Sequence, residues 1–239
     1  MINILIADDN IYYAKRLMDY INNKYNNIRV CNISINGLEA LNILYSRNDI
    51  DIFLLDLKMP KLNGVQLLNK LNKEKYTKSC IVISGEITMI NQIRNHPIVY
   101  SYILKSATND KIEKEINLLI KDKQKFKRYK SINHQLDNIL HYLSFNYSHV
   151  GTKYLKSVLL FMVDHSEYSI DNFKKQVYPN IAYKFNKSPH NIKCNINHSI
   201  TSMYYNCDNL KLQKFFSLPS DVKPTTKLVI NTIYNKLIS

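Results

Sequence analysis

Hydrophobic residues follow two different rhythms along this chain, and the change of rhythm marks its organisation. In the first half, short apolar runs alternate with amphipathic stretches. The runs at residues 3–7, 28–34, 51–56, 80–84 and 99–105 read as strands, the most apolar of them buried on both faces of a sheet. Between and after them, residues 11–25, 37–47, 64–74, 86–95 and 109–126 set apolar side chains at helical spacing. Five βα units with short connections predict a doubly wound parallel sheet.

Strand patterns then stop. Residues 126–147 are polar and rich in Asn and His, and read as a linker. Beyond them, residues 152–166, 170–186, 188–206, 210–217 and 225–239 all read as helices. The expected organisation is an α/β domain over 1–125, a linker over 126–147 and an all-α domain over 148–239, a division that suits a chain of 239 residues.

Charge sharpens this division. Residues 1–125 hold 18 basic and 13 acidic residues, whereas residues 126–239 hold 15 and 6, so most of the formal +14 sits in the second half. A basic module stripped of acids is the electrostatic footprint of a polyanion-binding surface. The N-terminal apolar run is broken at Asp8-Asp9, too early for a signal peptide, and no run is long enough to span a bilayer. Cys31, Cys80, Cys194 and Cys207 have no metal-type spacing and read as reduced thiols of a cytoplasmic protein with no membrane association.

The candidate chemistry lies at the strand ends. The stretch "FLLDLKMPKLNG" (53–64) is a buried strand that delivers Asp56 to its own C-terminal end. The first strand ends at Asp8-Asp9, the fourth at Ser84 and the fifth at Lys105. In a doubly wound sheet such ends share one edge, where ligands bind. Three carboxylates that close repel one another unless a cation sits among them, and an all-oxygen set suits Mg²⁺. A carboxylate in such a site can accept a phosphoryl group, with Lys105 and Ser84 binding its oxygens.

On Asp8-Asp9, "LLDLKMPKLNG", "VISG" and "YILK", residues 1 to about 125 resemble the receiver domain of two-component response regulators. The resemblance implies a flavodoxin-like fold and Asp56 as phosphoacceptor for a histidine kinase or phosphotransferase. It also implies a Mg²⁺ site of Asp8, Asp9, Asp56 and the Lys58 backbone carbonyl, a Ser84–Tyr102 switch pair, and phosphorylation-dependent homodimerisation. No second catalytic constellation accompanies the site, so no enzyme activity is expected beyond self-dephosphorylation at Asp56.

In the second half, a short helix carrying Pro179 is followed by Ser188-Pro189, a strong helix start. In the next helix Ile192, Ile196, Ile200 and Met203 line one face; His190, Asn191, Cys194, Asn197, His198 and Thr201 line the other. This reads as a helix-turn-helix with a polar face suited to a major groove of double-stranded DNA. From about Ser148 onward, "YPNIAYKFN", "INHSI" and "KPTT" resemble the DNA-binding domain of the sporulation master regulator, stage 0 sporulation protein A. That resemblance adds Lys223 to the candidate DNA-contacting residues; Lys193, where the family has a glutamate, joins them as a basic side chain able to meet phosphate. The resemblance also exposes a departure: the family has arginines where this chain has Asn191, Cys194 and Asn197, and no arginine follows Arg128. A phosphorylation-controlled transcription factor is therefore expected. The alternative is an interaction module that sequesters kinases, phosphotransferases or a related regulator without binding DNA.

Overall fold

Alternation along the strands decides how the first half folds. In β1 (Ile2–Ala7), Ile4 and Ile6 pack on one side of the sheet, Leu5 and Ala7 on the other. In β3 (Ile52–Leu55) and β4 (Ser79–Ser84) the same division separates Leu54, Ile81 and Ile83 from Phe53, Leu55, Cys80 and Val82. A strand that is apolar at every position must have both faces covered. The computed structural model describes residues 1–165, 173–219 and 221–239, which divide into two units, Met1–Lys123 and Gln124–Ser239.

In the first unit, β2 (Ile28–Ser34) and β5 (Val99–Leu104) complete a five-stranded parallel sheet of order β2-β1-β3-β4-β5. Helix α1 (Ile11–Lys24) covers one face with Ala14, Leu17 and Ile21, joined there by Ile112, Ile116 and Leu119. Helices α2 (Gly37–Ser46), α3 (Gly64–Lys73) and α4 (Ile87–Ile93) cover the other. The strand order reverses at β1, so the carboxyl ends of β1 and β3 lie side by side, with the Asp56 amide donating to the Ala7 carbonyl at 2.8 Å. This is the switch point at which open α/β sheets bind ligands.

Glycine at position 64 sets the exit from β3. A Cβ there would lie 2.5 Å from the Asp56 carbonyl oxygen and 2.8 Å from the Leu57 Cα. The start of α3 therefore packs directly on the backbone that carries Asp56.

The second unit is built of helices around one core. They are α6 (Val150–Asp164), a π-helical turn (Phe173–Val177), α7 (Tyr178–Phe185), α8 (Pro189–Asn206), α9 (Asn209–Phe216) and α10 (Thr226–Ile238). Asn186 ends α7 in the left-handed region (φ 51°), and the Ser188 hydroxyl accepts from the Asn191 amide to cap α8. Ile192, Ile196, Ile200 and Met203 are buried, fixing which face of α8 turns inward. The helix expected over 170–186 begins among residues outside the described ones, as does the last residue of the one expected over 152–166.

Gly151 brings α6 and α8 into backbone contact: a Cβ on it would stand 1.8 Å from the Asn195 carbonyl oxygen. Gly151→Ala must push the helices apart, and overpacking of this kind costs about 1–3 kcal/mol. A lower urea midpoint for the second unit is the expected result. An unchanged midpoint would mean that the two helices separate at no cost.

One expectation is corrected. The helix expected over 109–126 is α5 (Asn109–Tyr142), which runs through most of the segment read as a linker. Ile132, Leu136, Leu140 and Leu143 are buried in the second unit's core, at spacings of four, four and three. This one apolar stripe makes residues 126–142 a structural helix in spite of their polarity.

Candidate functional site

At the switch point Asp8 follows β1 and Asp56 follows β3, both buried, while Asp9 beside them is exposed. One carboxylate oxygen from each of the three lies within 4.8 Å of the others. The Lys105 ammonium, delivered by the end of β5, donates to Asp56 Oδ2 at 2.5 Å and reaches Asp8 Oδ2 at 2.9 Å. The Ser84 hydroxyl, at the end of β4, donates to Asp56 Oδ1 at 2.7 Å. The four strand ends named from sequence thus meet around one carboxylate. Hard oxygen donors of this kind fit a Mg²⁺ ion, which takes a few carboxylates and keeps some waters.

Burial pushes the Asp8 carboxyl above its ordinary pKa, with the hydrogen bond from Lys105 pulling the other way. Burial also acts against the charge on Lys105, but its hydrogen bonds to Asp56 and Asp8 outweigh this and hold its pKa above the usual lysine value. A carboxyl raised in this way binds its proton more tightly folded than unfolded. Its ionisation therefore removes stability as the pH rises from the ordinary carboxylate range through the raised value. Asp8→Asn relieves that penalty and keeps an oxygen to accept from the Asn10 amide, as Asp8 Oδ1 does at 2.9 Å. Without divalent cations at pH 7, the variant is expected to melt at a higher temperature. A lower melting temperature would mean that the Asp8–Lys105 pair outweighs desolvation.

Other candidates lie further out. Lys58 follows β3, and its amide stands 3.4 Å from Asp56 Oδ1 while its ammonium pairs with Glu86 at 3.0 Å. Tyr102 sits on β5 opposite Val82, two residues before the level of Ser84, and is 40% exposed. Sequence reasoning missed Tyr13, whose ring centre lies 5.3 Å from the Lys105 ammonium. Burial raises its phenol above the usual range. Its place in the first turn of α1, just beyond Asp8-Asp9, was the available signal.

In the second unit, His190, Asn191, Lys193, Asn197 and His198 are exposed along α8, with Cys194 and Thr201 half-buried beside them. The Lys223 ammonium, from the segment before α10, donates to Thr201 Oγ1 at 2.6 Å. The Thr226 hydroxyl donates to Asn197 Oδ1 at 3.2 Å, and the Asn195 amide to Asn191 Oδ1 at 3.0 Å. Cys194 Sγ lies 3.3 Å from His190 Nε2. The predicted face is therefore a connected polar surface, partly pinned by the start of α10. Thr226 was missed because nothing in sequence ties it to α8.

Residues 4–117 match the family described as response regulator receiver domain, and residues 136–237 the family described as sporulation initiation factor Spo0A C terminal. Among curated proteins, the probable transcriptional regulator ycf29 of Pyropia yezoensis is 30% identical over 120 residues, covering 49% of this chain and 52% of its own. The sensory transduction protein LytT of Oceanobacillus iheyensis is 34% identical over 82 residues, 34% of this chain and 32% of its own. The chain spans about half the length of the first of these curated relatives and about a third of the second. Among solved structures, a Francisella response regulator receiver domain is 26% identical and covers 52% of this chain and 99% of its own, with a TM-score of 0.46. Among the described residues, no helix is long and apolar enough to cross a membrane.

Proposed function

Because the chain joins a response regulator receiver domain to a domain of the Spo0A C-terminal family, we propose that it is a phosphorylation-controlled regulator whose second unit binds double-stranded DNA. The observation that carries this reading is the convergence on Asp56 of Lys105 at 2.5 Å and Ser84 at 2.7 Å, beside two further carboxylates. An Asp56 oxygen attacks the phosphorus of a phosphohistidine on a histidine kinase or phosphotransferase, and the phosphorus–nitrogen bond breaks. Asp8, Asp9, Asp56 and the Lys58 carbonyl are the residues proposed to hold Mg²⁺, which would offset the charge gathering on the phosphoryl oxygens. Lys105 and Ser84 then pass from the carboxylate to those oxygens.

Withdrawal of the Ser84 hydroxyl from Asp56 toward a phosphoryl oxygen is the local event proposed to bias the receiver toward a second conformation. Tyr102, already on the β5 surface, is the proposed second member of that switch. Beryllofluoride, a mimic of the phosphoryl group, is expected to shift the full chain from monomer toward homodimer in sedimentation. An unchanged profile with the mimic bound would remove dimerisation from the proposal.

The output step is tested by binding of the full chain to mixed duplex fragments across a salt series, with and without the mimic. Steeply salt-dependent binding supports the DNA reading, since contacts by Lys193 and Lys223 to phosphate release counterions. The absence of arginine from α8 favours one rival. No duplex binding at low salt would point to a module that sequesters kinases, phosphotransferases or a related regulator.

A further inference from the structure

The first turn of α6 borders a cleft of about 590 Å³ whose opposite wall is the flank of α8. Three features of this cleft call for an anion. His149, at the cap position of α6, makes no side-chain capping bond, and among the described residues no acceptor meets the Val150 or Gly151 amide. Aligned peptide dipoles leave about half a positive charge at such an end.

The second feature comes from the other wall. Ser199 is only 2% exposed, lines the cleft, and its Oγ has no hydrogen-bond partner. A buried hydroxyl left unpaired is destabilising, and a ligand oxygen would offset that. The third is composition. The wall carries Ser148, His149, His198 and Ser202 but no carboxylate. Donors face an anion there with no charge to repel it.

Location selects among anions. His198 and Thr201 line the cleft and also belong to the polar face of α8, and Thr201 accepts from Lys223. An oxyanion held here would sit beside whatever that face touches. We infer that the N-terminus of α6, together with Ser199, His149 and His198, seats one backbone phosphodiester of the strand flanking the groove that α8 enters. The inference rests on the DNA-binding reading above and adds a contact that anchors α8 in register without reading a base.

Free phosphate offers the same oxygens, so the test has two arms on the full chain. In the first, inorganic phosphate is titrated at constant ionic strength while the ¹⁵N-resolved NMR signals of Val150 and Gly151 are followed. Saturable shifts are expected. They should vanish in Val150→Asp, whose carboxylate competes for the same amides at a helix end where acids stabilise. Ser199→Ala, which removes only the hydroxyl, should weaken phosphate several-fold and serves should the first variant fail to fold. Unshifted amides in the unchanged protein would overturn the site.

In the second arm, duplex affinity is measured against salt with beryllofluoride present. Val150→Asp should flatten the slope of log affinity against log salt by about 0.9 and weaken binding about tenfold, the loss of one phosphate contact. Shifted amides with an unchanged slope would overturn the assignment to DNA and leave a seat for free phosphate. Failure of the unchanged protein to bind any duplex would overturn the DNA-binding reading and this assignment with it, an outcome told apart by the first arm.

Discussion

Asp56→Asn is expected to take up no phosphoryl group from acetyl phosphate under conditions that fully label the unchanged protein. The substitution keeps the shape of the side chain and an oxygen for the Ser84 hydroxyl, now 2.7 Å from Asp56 Oδ1. It removes the anionic nucleophile, and a neutral amide oxygen does not attack phosphorus at a useful rate. Lys105 keeps a partner, because Asp8 Oδ2 stands 2.9 Å away. The variant should therefore fold, and loss of labelling would reflect chemistry. Chelation of Mg²⁺ should stop labelling of the unchanged protein as completely, since three carboxylates within 4.8 Å would then face an incoming dianion with only one ammonium among them. Intact-mass measurement after donor treatment reads both results. Stable incorporation into the Asn variant would move the acceptor to Asp8 or Asp9.

The second large effect concerns what α8 reads. Selection from randomised duplexes with the full chain and beryllofluoride is expected to yield sites richer in A·T pairs than an arginine-bearing helix would select. Asn191 and Asn197 are exposed on α8, and asparagine pairs bidentately with adenine N6 and N7, whereas guanine is usually met by arginine or lysine. Asn197→Ala should relax preference at one or two positions by about 1–3 kcal/mol each. Thr226→Val, which removes the hydroxyl donating to Asn197 Oδ1 at 3.2 Å, should blur the same positions with a smaller loss. Guanine at the positions relaxed by Asn197→Ala would refute adenine reading.

Much of this was legible in the chain because burial leaves a plain mark. Strands such as Phe53-Leu54-Leu55 are apolar at every position, and a single Asp56 closing the run stands out against them. The strand order then brings Asp8, Asp56, Ser84 and Lys105 together without further information. What escaped the sequence was set by contacts distant along the chain. Thr226 meets Asn197 across 29 residues, and Gly151 meets Asn195 across a helix crossing that no local pattern reports. Ser199 lies among the apolar positions of α8 and carries no outward sign of being unpaired. Residues 126–142 misled for the opposite reason. Their polar side chains outnumber a stripe that is one residue wide, and composition averages that stripe away.

That stripe governs where the protein can be cut. A fragment begun at Ser148, where composition suggests the second domain starts, would discard Ile132, Leu136, Leu140 and Leu143, all of them buried in its core. Burying one such side chain stabilises by about 1.5–3 kcal/mol, and a whole domain has a margin of only about 5–15 kcal/mol. The four together therefore compare with the entire margin. Expression of residues 148–239 alone should give an insoluble or protease-sensitive product, whereas a piece begun at Gln124, where the second unit starts, retains the stripe and should be soluble.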